Sequence, residues 1–386
     1  MTLLTHDSCP PGAVREPLDV PRSDPRSLLP EREPLRVLGT PAAAEYDVDL
    51  LRDLFQEVVT GRRYNLQATA LAKQGRLAVY PATTGQEACE VAAAAVLSTQ
   101  DWLFPTYRDT LAAIVRGVDP VEALTVMRGD WHHGYDPYEH RVAPLSTPLA
   151  TQLPHAVGFA RAARLKGEDT VVLAMVGDGG TSEGDFHEAV NFAAVWKAPV
   201  VFLVQNNGFA ISVPLAKQTA ALSLADKAVG FGVPGRLVDG NDVLAVHQVL
   251  DEAVSRARDG GGPTLVEAVT YRLDPHTNSD DDSRYRDLSE VEQWRRRDPV
   301  LVLERSLRGM GVLDDDAVEQ AARSAEEFAA NLRKRYNHAP SPDPMTLFSH
   351  VYAEKTPQLR EQEAMLRAEL RAELRAEAQA EGNEQQ

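Results

Sequence analysis

The chain has 386 residues, 43% of them hydrophobic, and its 57 acidic against 40 basic side chains leave a formal charge of −17. That length accommodates one large or two medium domains. The acidic balance argues against nucleic acid or an anionic membrane as the main partner, because neutralising phosphates takes clustered Lys and Arg. No apolar stretch reaches the ~18 residues a spanning helix needs. The N-terminus, MTLLTHDSCPPGAVREPLDV, lacks a basic region followed by a hydrophobic core, so no secretory signal is expected. Cys9 in a polar tail and Cys89 in an alanine-rich helix make neither a disulfide framework nor a zinc site, and a reducing cytoplasm fits them.

In chain order, residues 1 to about 40 carry seven prolines, from Pro10 to Pro34, and read as a mostly irregular arm. From Asp47 to Lys73, Leu50, Leu51, Leu54, Phe55, Val58 and Leu66 recur at helical spacing. Gly85 to Leu97 is a second, tightly packable helix through Ala88, Val91, Ala92 and Ala95, and a third runs from Thr110 to Arg116. Leu153 to Lys166 is another, just ahead of an apolar, β-branched run from Thr170 to Val176 that reads as a buried parallel strand. The strand ends in Gly177-Asp178-Gly179-Gly180, and a polar start at Ser182, Glu183 and Asp185 opens a helix with Phe186, Ala189, Val190, Ala193 and Ala194 on one face. Pro199 closes it, and Val200 to Val204 forms a second buried strand before Gln205-Asn206-Asn207-Gly208. Further on, Gly235–Gly240 reads as a short strand, Asn241-Asp242 as a cap, Val243–Arg258 as a helix and Pro263–Val269 as a strand. This alternation predicts an α/β fold of three layers, with helices on both faces of a mostly parallel sheet. The predicted division is an arm over 1–40, one α/β domain over 41–350 and a charged helical tail over 351–386. The tail's LRAELRAELRAEAQAE places Glu and Arg three or four apart, which suits a solvated helix or an arm that docks on a partner.

The segment from Met175 to Ile211 carries the chemistry. It is a strand-helix-strand unit with polar groups at the carboxyl ends of both strands, where ligands sit in open α/β sheets. A diphosphate needs a divalent cation and backbone N–H donors, and glycines beside Asp178 let the backbone approach closely. Mg²⁺ takes one or two carboxylate oxygens and fills its octahedron with phosphate, carbonyls and water. Asp178 can supply the carboxylate and Asn207 an amide oxygen from the next strand end, with a backbone carbonyl just beyond. A GDG turn and an unrelated Asn-Asn loop could coexist in any α/β protein. Here, though, GDG, 26 intervening residues and NN stand in strand-helix-strand context, the pattern of thiamin diphosphate enzymes.

Over residues from roughly 45 to 365 the chain resembles the alpha subunit of the thiamin-dependent, decarboxylating component of 2-oxo acid dehydrogenase complexes. Beyond GDG and NN, the resemblance lies in Phe104-Pro105-Thr106-Tyr107-Arg108-Asp109, in Leu145 to Gln152 (LSTPLATQ), in Tyr271 to Arg286 and in Leu347 to Tyr352 (LFSHVY). It implies that Tyr107 and Arg108 contact the cofactor diphosphate, Arg108 as a charge-assisted donor; the bland alternative pairs Arg108 with Asp109. It implies that Thr147 and Leu149 border the aminopyrimidine, and that Gly177, Asp178, Gly179 and Gly180 cradle the diphosphate. Mg²⁺ would lie on Asp178, Asn207 and the carbonyl of Phe209, which stands where a Tyr is common. Gln205 occupies a position where the branched-chain type can place an Arg toward the diphosphate, a departure that puts more weight on Arg108. Ser146, Pro148, Thr151 and Gln152 match positions that hold a structural monovalent cation, K⁺, in some relatives.

His276 follows a strand end beside Arg272, with Asp280 and Asp281 after it. An imidazole of near-neutral pKa there can donate to phosphate or move protons, whereas the alternative is a loop His steadied by Asp280 or Asp281. His132-His133 lacks a third ligand at metal spacing, and His140 and His155 have no comparable context. Thr277 aligns with a serine phosphorylated in some relatives, which by itself names no kinase.

The family chemistry is decarboxylation of a small 2-oxo acid and transfer of the acyl group to the lipoyl group of the next enzyme, an acyltransferase of the complex. The usual strand-loop context of the activating Glu is missing, so the resemblance implies a separate beta subunit and an α2β2 assembly. The loop at residues 280–281, Asn207 to Ser212 and the LFSHVY end lean toward a branched-chain 2-oxo acid of the 3-methyl-2-oxobutanoate type. Pyruvate-type subunits and a non-catalytic assembly homologue are the other readings; intact Asp178, Asn207, Arg108 and His276 argue against the latter.

Overall fold

The computed structural model describes residues 24–384 except 131 and 340–342. Residues 1–23 of the Pro-rich arm, with Cys9, lie outside the described residues. Helix α1 spans Val48–Lys73, with Asp47 capping the N–H groups of Asp49 and Leu50. Helix α2 (Glu87–Ala95) follows, then strand β1 (Trp102–Phe104) and helix α3 (Thr110–Val115). The central unit is α4 (Gln152–Lys166), β2 (Val172–Gly177), α5 (Gly184–Trp196) and β3 (Val200–Asn206). After it come β4 (Gly235–Asp239), α6 (Val243–Arg258) and β5 (Thr264–Val269). Among the described residues of the main sheet the order is β1-β2-β3-β5-β4, and every pairing is parallel. The expected α/β architecture is therefore the observed one.

Strand alternation divides the core in two. Leu173, Met175, Val201, Leu203 and Val266 face one side and pack with α1, α2 and α6. Val172, Ala174, Val176, Val200, Phe202 and Val204 face the other and pack with α4 and α5. Because both faces are covered, these strands read as continuous apolar runs rather than alternating ones.

Three features depart from the expectations. The short strand β1, which sequence reasoning did not pick out, pairs Trp102 with Val172 at the sheet edge. Near its end the arm is tied to the domain: Leu35 forms a parallel bridge to Val238, and Asp242 accepts from the N–H groups of Val37 and Leu38, both at 2.7 Å. A helical layer after β5, unassigned from sequence, comprises α7 (Leu288–Arg295), α8 (Pro299–Gly309) and α9 (Asp315–His338). Asp287, Asp298 and Asp314 cap these three helices. On α9, buried Ala321, Ala325, Ala329, Leu332 and Tyr336 recur three or four residues apart, and this face docks on α1. The final helix α10 (Pro357–Glu384) matches the charged tail and touches little beyond the short turn at Pro344–Phe348.

Candidate active site

The parallel register aligns the carboxyl ends of four neighbouring strands. Gly177 pairs with Gln205 and Asn206 with Val269, so the loops after β2, β3 and β5 leave the sheet side by side. The loop after β1 joins them through a bridge between Thr106 and Ser146. Together they enclose a cavity of about 440 Å³, within the usual size range of small-molecule sites. Every residue expected to bind cofactor or metal or to act in catalysis borders it except Thr151: Ser146 to Leu149, Gln152, Gly177 to Gly180, Gln205, Asn207, Phe209, Tyr107, Arg108 and His276.

On one flank Asp178 is 1% exposed, feels Arg272 only across a distance and forms no ion pair among the described residues. Its Oδ2 accepts from Gln218 Nε2 at 2.7 Å, and the Asn207 backbone N–H also bonds its carboxylate. Burial pushes this carboxyl above its ordinary value, with the hydrogen bonds opposing. Asn207 Oδ1 accepts from Phe209 N at 3.2 Å, and its Nδ2 donates to Gln86 Oε1 at 3.0 Å. The glycines are needed sterically: a Cβ on Gly180 would lie 2.5 Å from Val176 Cγ2, and one on Gly179 2.7 Å from Ala210 Cβ. At Gly177 nothing lies within 4 Å of an added Cβ. Ala150 (φ 62°) and Ile211 (φ 55°) hold left-handed backbone at the rim, each at a cost of about 1 kcal/mol.

The opposite flank is cationic. Arg108, 6% exposed, does not pair with Asp109. It donates to Ala82 O at 2.7 Å, to His276 O at 3.3 Å and toward His276 Nδ1 at 3.1 Å. Arg272, which the sequence reading treated only as a neighbour, donates to Ile211 O at 2.7 Å and reaches His276 Nδ1 at 3.4 Å. Its Nε is buried without a partner. The expected near-neutral imidazole is not observed. Burial, then Arg108 and Arg272, push His276 down to about 4, so the ring is neutral at pH 7. Two guanidiniums at Nδ1 make that nitrogen the acceptor and leave the proton on Nε2. Asp280 steadies the loop by accepting from the His276 backbone N–H at 2.8 Å, which is the contact of the bland alternative; the imidazole nevertheless faces the cavity. Tyr107 lies alongside, its ring 6.2 Å from His276 and 5.5 Å from the Arg108 guanidinium.

Gln205 does not stand free toward the cavity: it donates to Asp109 Oδ1 at 2.6 Å and accepts from Gln86 Nε2 at 3.0 Å. In the Ser146 loop, Ser146 Oγ donates to Pro148 O at 2.9 Å and Thr151 Oγ1 approaches Asp185 at 3.4 Å. Gln152 Nε2 donates to Met175 O at 2.6 Å while its Oε1 is buried without a partner. Sequence reasoning passed over Gln86 and Arg272 as site residues. The available signal for Gln86 was a polar pair, Gln86-Glu87, opening an otherwise apolar alanine-rich helix. His132, His133 and His140 belong to the region of 132–140 and do not line the cavity. Among the described residues no three His, Cys, Asp or Glu side chains cluster as a metal cage.

A buried carboxylate and two buried guanidiniums, none of them in an ion pair among the described residues, border one cavity. The cavity therefore suits a divalent ion together with a phosphorylated ligand, and the glycine cradle leaves room for one.

Comparison with known proteins shows the family. The model of the family described as dehydrogenase E1 component matches residues 56–346. The 3-methyl-2-oxobutanoate dehydrogenase subunit alpha of Mycobacterium tuberculosis is 47% identical over 345 residues, 87% of this chain and 94% of that one. The 2-oxoisovalerate dehydrogenase subunit alpha of Bacillus subtilis is 36% identical over 78% of this chain and 95% of its own. The pyruvate dehydrogenase E1 component subunit alpha of Staphylococcus aureus is 37% identical over 81% of this chain and 85% of its own. With a family match of that length and relatives of that identity, the chain belongs to the dehydrogenase E1 component family.

Proposed function

We propose that this chain is the alpha subunit of a branched-chain 2-oxo acid dehydrogenase, acting on a substrate of the 3-methyl-2-oxobutanoate type. The observation that carries the site reading is the pairing of orphan charges, Asp178 on one flank and Arg108 with Arg272 on the other. The branched-chain choice rests on the 47% identity to a 3-methyl-2-oxobutanoate dehydrogenase subunit alpha against 37% to a pyruvate dehydrogenase one.

Asp178, the Asn207 amide oxygen and the Phe209 carbonyl would hold Mg²⁺, while Arg108 and Tyr107, with Arg272 behind them, would hold the diphosphate. Thr147 and Leu149 would border the aminopyrimidine. Thiamin diphosphate, when bound, supplies the electron sink for loss of carbon dioxide from a 2-oxo acid. The chain's own residues bind and orient it, and His276, once a bound diphosphate offsets Arg108 and Arg272 and lets the imidazole protonate, would give the proton required when the acyl group passes to a lipoyl group carried by the acyltransferase of the complex. The unpartnered Gln152 Oε1, next in sequence to Thr151, supports a K⁺ site formed with Ser146, Pro148 and Thr151. Thr147, Pro148 and Leu149 are exposed along the cavity rim, which supports a second chain, the beta subunit of an α2β2 assembly, closing the site there. No helix among the described residues is long and apolar enough to cross a membrane; the two cysteines are what support a cytoplasmic setting.

The test is steady-state decarboxylation by the chain co-expressed with its beta subunit, comparing 3-methyl-2-oxobutanoate with pyruvate. The branched acid should give the higher kcat/KM by at least about tenfold, the scale of discrimination that a few methyl contacts allow. Equal values, or a preference for pyruvate, would overturn the substrate assignment.

A further inference from the structure

Four buried side chains form one directional chain behind the metal flank of the cavity. It begins at Asp109, whose Oδ2 accepts from the Thr106 backbone N–H at 2.7 Å. As a carboxylate Asp109 can only accept, and the two Thr106 donors on Oδ2 favour that form against the effect of burial. Gln205 Nε2 donates to Asp109 Oδ1 at 2.6 Å, which turns Gln205 Oε1 the other way. That oxygen accepts from Gln86 Nε2 at 3.0 Å, which turns Gln86 Oε1 toward Asn207. Gln86 Oε1 in turn accepts from Asn207 Nδ2 at 3.0 Å. The last link leaves Asn207 Oδ1 to the Phe209 N–H, in a residue that lines the cavity together with Asp178. Relative exposures are 0% for Asp109, 2% for Gln205 and 1% for Gln86, so no bulk water replaces a lost link.

We infer that Gln86 is a positioning residue that fixes which end of the Asn207 carboxamide faces the metal site. Oxygen and nitrogen of a carboxamide have nearly the same shape, and packing alone cannot tell them apart. Only an oxygen can ligate Mg²⁺. If Asn207 flipped, its Oδ1 would meet Gln86 Oε1, acceptor against acceptor, and its Nδ2 would meet the Phe209 N–H, donor against donor. Gln86 cannot relieve the first clash by flipping itself, because its Nε2 is engaged by Gln205, which Asp109 holds. The chain therefore carries polarity from a backbone amide at the end of β1 to a ligand at the end of β3. Partners that orient a metal ligand are commonly worth 10–100-fold in metal affinity.

This inference rests on Asn207 being a metal ligand, and the experiment separates the two. The readout is Mn²⁺ affinity, followed by electron paramagnetic resonance at saturating thiamin diphosphate, on the full chain assembled with its beta subunit. Asn207→Ala tests the underlying reading: unchanged Mn²⁺ affinity would remove it, and this inference with it. Gln86→Met keeps the volume but removes the acceptor, and should weaken Mn²⁺ about 10–100-fold. The rescue is the pair Gln86→Glu with Gln205→Arg. There the carboxylate accepts from Asn207 Nδ2 and the guanidinium donates to both Glu and Asp109, so every link keeps its direction. The paired variant should bind Mn²⁺ within about threefold of wild type, a margin well inside the loss expected for Gln86→Met. If Gln86→Met binds as tightly as wild type, or the paired variant is as weak as Gln86→Met, the orienting role is wrong even where Asn207 remains a ligand.

Discussion

The two flanks of the cavity are built on opposite plans. Around Asp178 and Asn207 nearly every polar atom already has a protein partner: Gln218 and a backbone N–H on the carboxylate, Gln86 and the Phe209 N–H on the amide. Around Arg108, Arg272 and His276 three basic groups converge, and neither guanidinium forms an ion pair among the described residues. The first flank is arranged in advance by hydrogen bonds. The second is held in mutual repulsion by the surrounding fold, which an incoming anion would relieve. Rigidity on one side fixes metal geometry, and stored repulsion on the other supplies affinity for negative charge.

The largest expected effect concerns what neither flank contains. No activating Glu is assigned in this chain, so the purified alpha chain alone should show no turnover of any 2-oxo acid above background. Carbon dioxide release by that preparation, with beta subunit shown to be absent, would break the division of labour proposed for the two subunits.

Next is His276, where binding and chemistry should separate. Arg108 and Asp178 anchor the ligand without it, so cofactor affinity in His276→Ala should fall by no more than about tenfold, or ~1.4 kcal/mol. Turnover of the complex should fall about 10²–10⁴-fold, the usual range for one positioned acid–base group. Parallel losses would make His276 a phosphate anchor, and no loss in either would make it a bystander.

A core substitution outside both flanks provides the contrast. Leu307 is fully buried in the cluster that α8 shares with α1 and α2. Leu307→Ala should cost about 2–5 kcal/mol of stability, read by denaturant unfolding, through lost contact and the cavity left behind. Cofactor affinity should change less than twofold; a larger change would mean that the flanks are not independent of the helical layer.

The smallest effect is a fraction of a proton. His276 is held at about 4 when folded, against ~6.5 for a free imidazole. The unfolded chain therefore binds more protons between those values, so His276 lowers stability as pH falls through that window, with the full cost present below about 4. A bound diphosphate offsets both guanidiniums and raises the imidazole pKa. Binding should then take up a proton, and affinity should tighten as pH falls from about 8 to 6. Calorimetry in two buffers of different ionisation enthalpy, wild type against His276→Gln, measures it. Equal uptake in both proteins would place the relevant charge elsewhere.

Much of this was legible in the residues because parallel strands and their carboxyl-end loops leave local marks. Val172 to Gly177 and Val200 to Asn206 are apolar runs ending in polar turns, and the GDG and NN motifs fix both position and chemistry. The helical layer after β5 was missed for a physical reason: α9 buries mainly alanines, Ala321, Ala325 and Ala329, in a stretch otherwise rich in charge. Strand β1 has only three residues, too few for periodicity. The shift of His276 could not be read locally either. It depends on Arg108, 168 positions away in sequence, and the polarity of the Asp109-to-Asn207 chain likewise exists only once three separate segments meet.

The central claim is that Asp178 ties a divalent ion to the diphosphate. The direct test is isothermal titration of thiamin diphosphate into the chain with and without Mg²⁺, for wild type, Asp178→Ala and Asp185→Ala. Asp185 lies in the first turn of α5, outside the loop. Wild type and Asp185→Ala should bind tightly only with Mg²⁺, and Asp178→Ala should lose the metal-dependent part entirely. Unchanged, Mg²⁺-dependent affinity in the Asp178 variant would contradict the account.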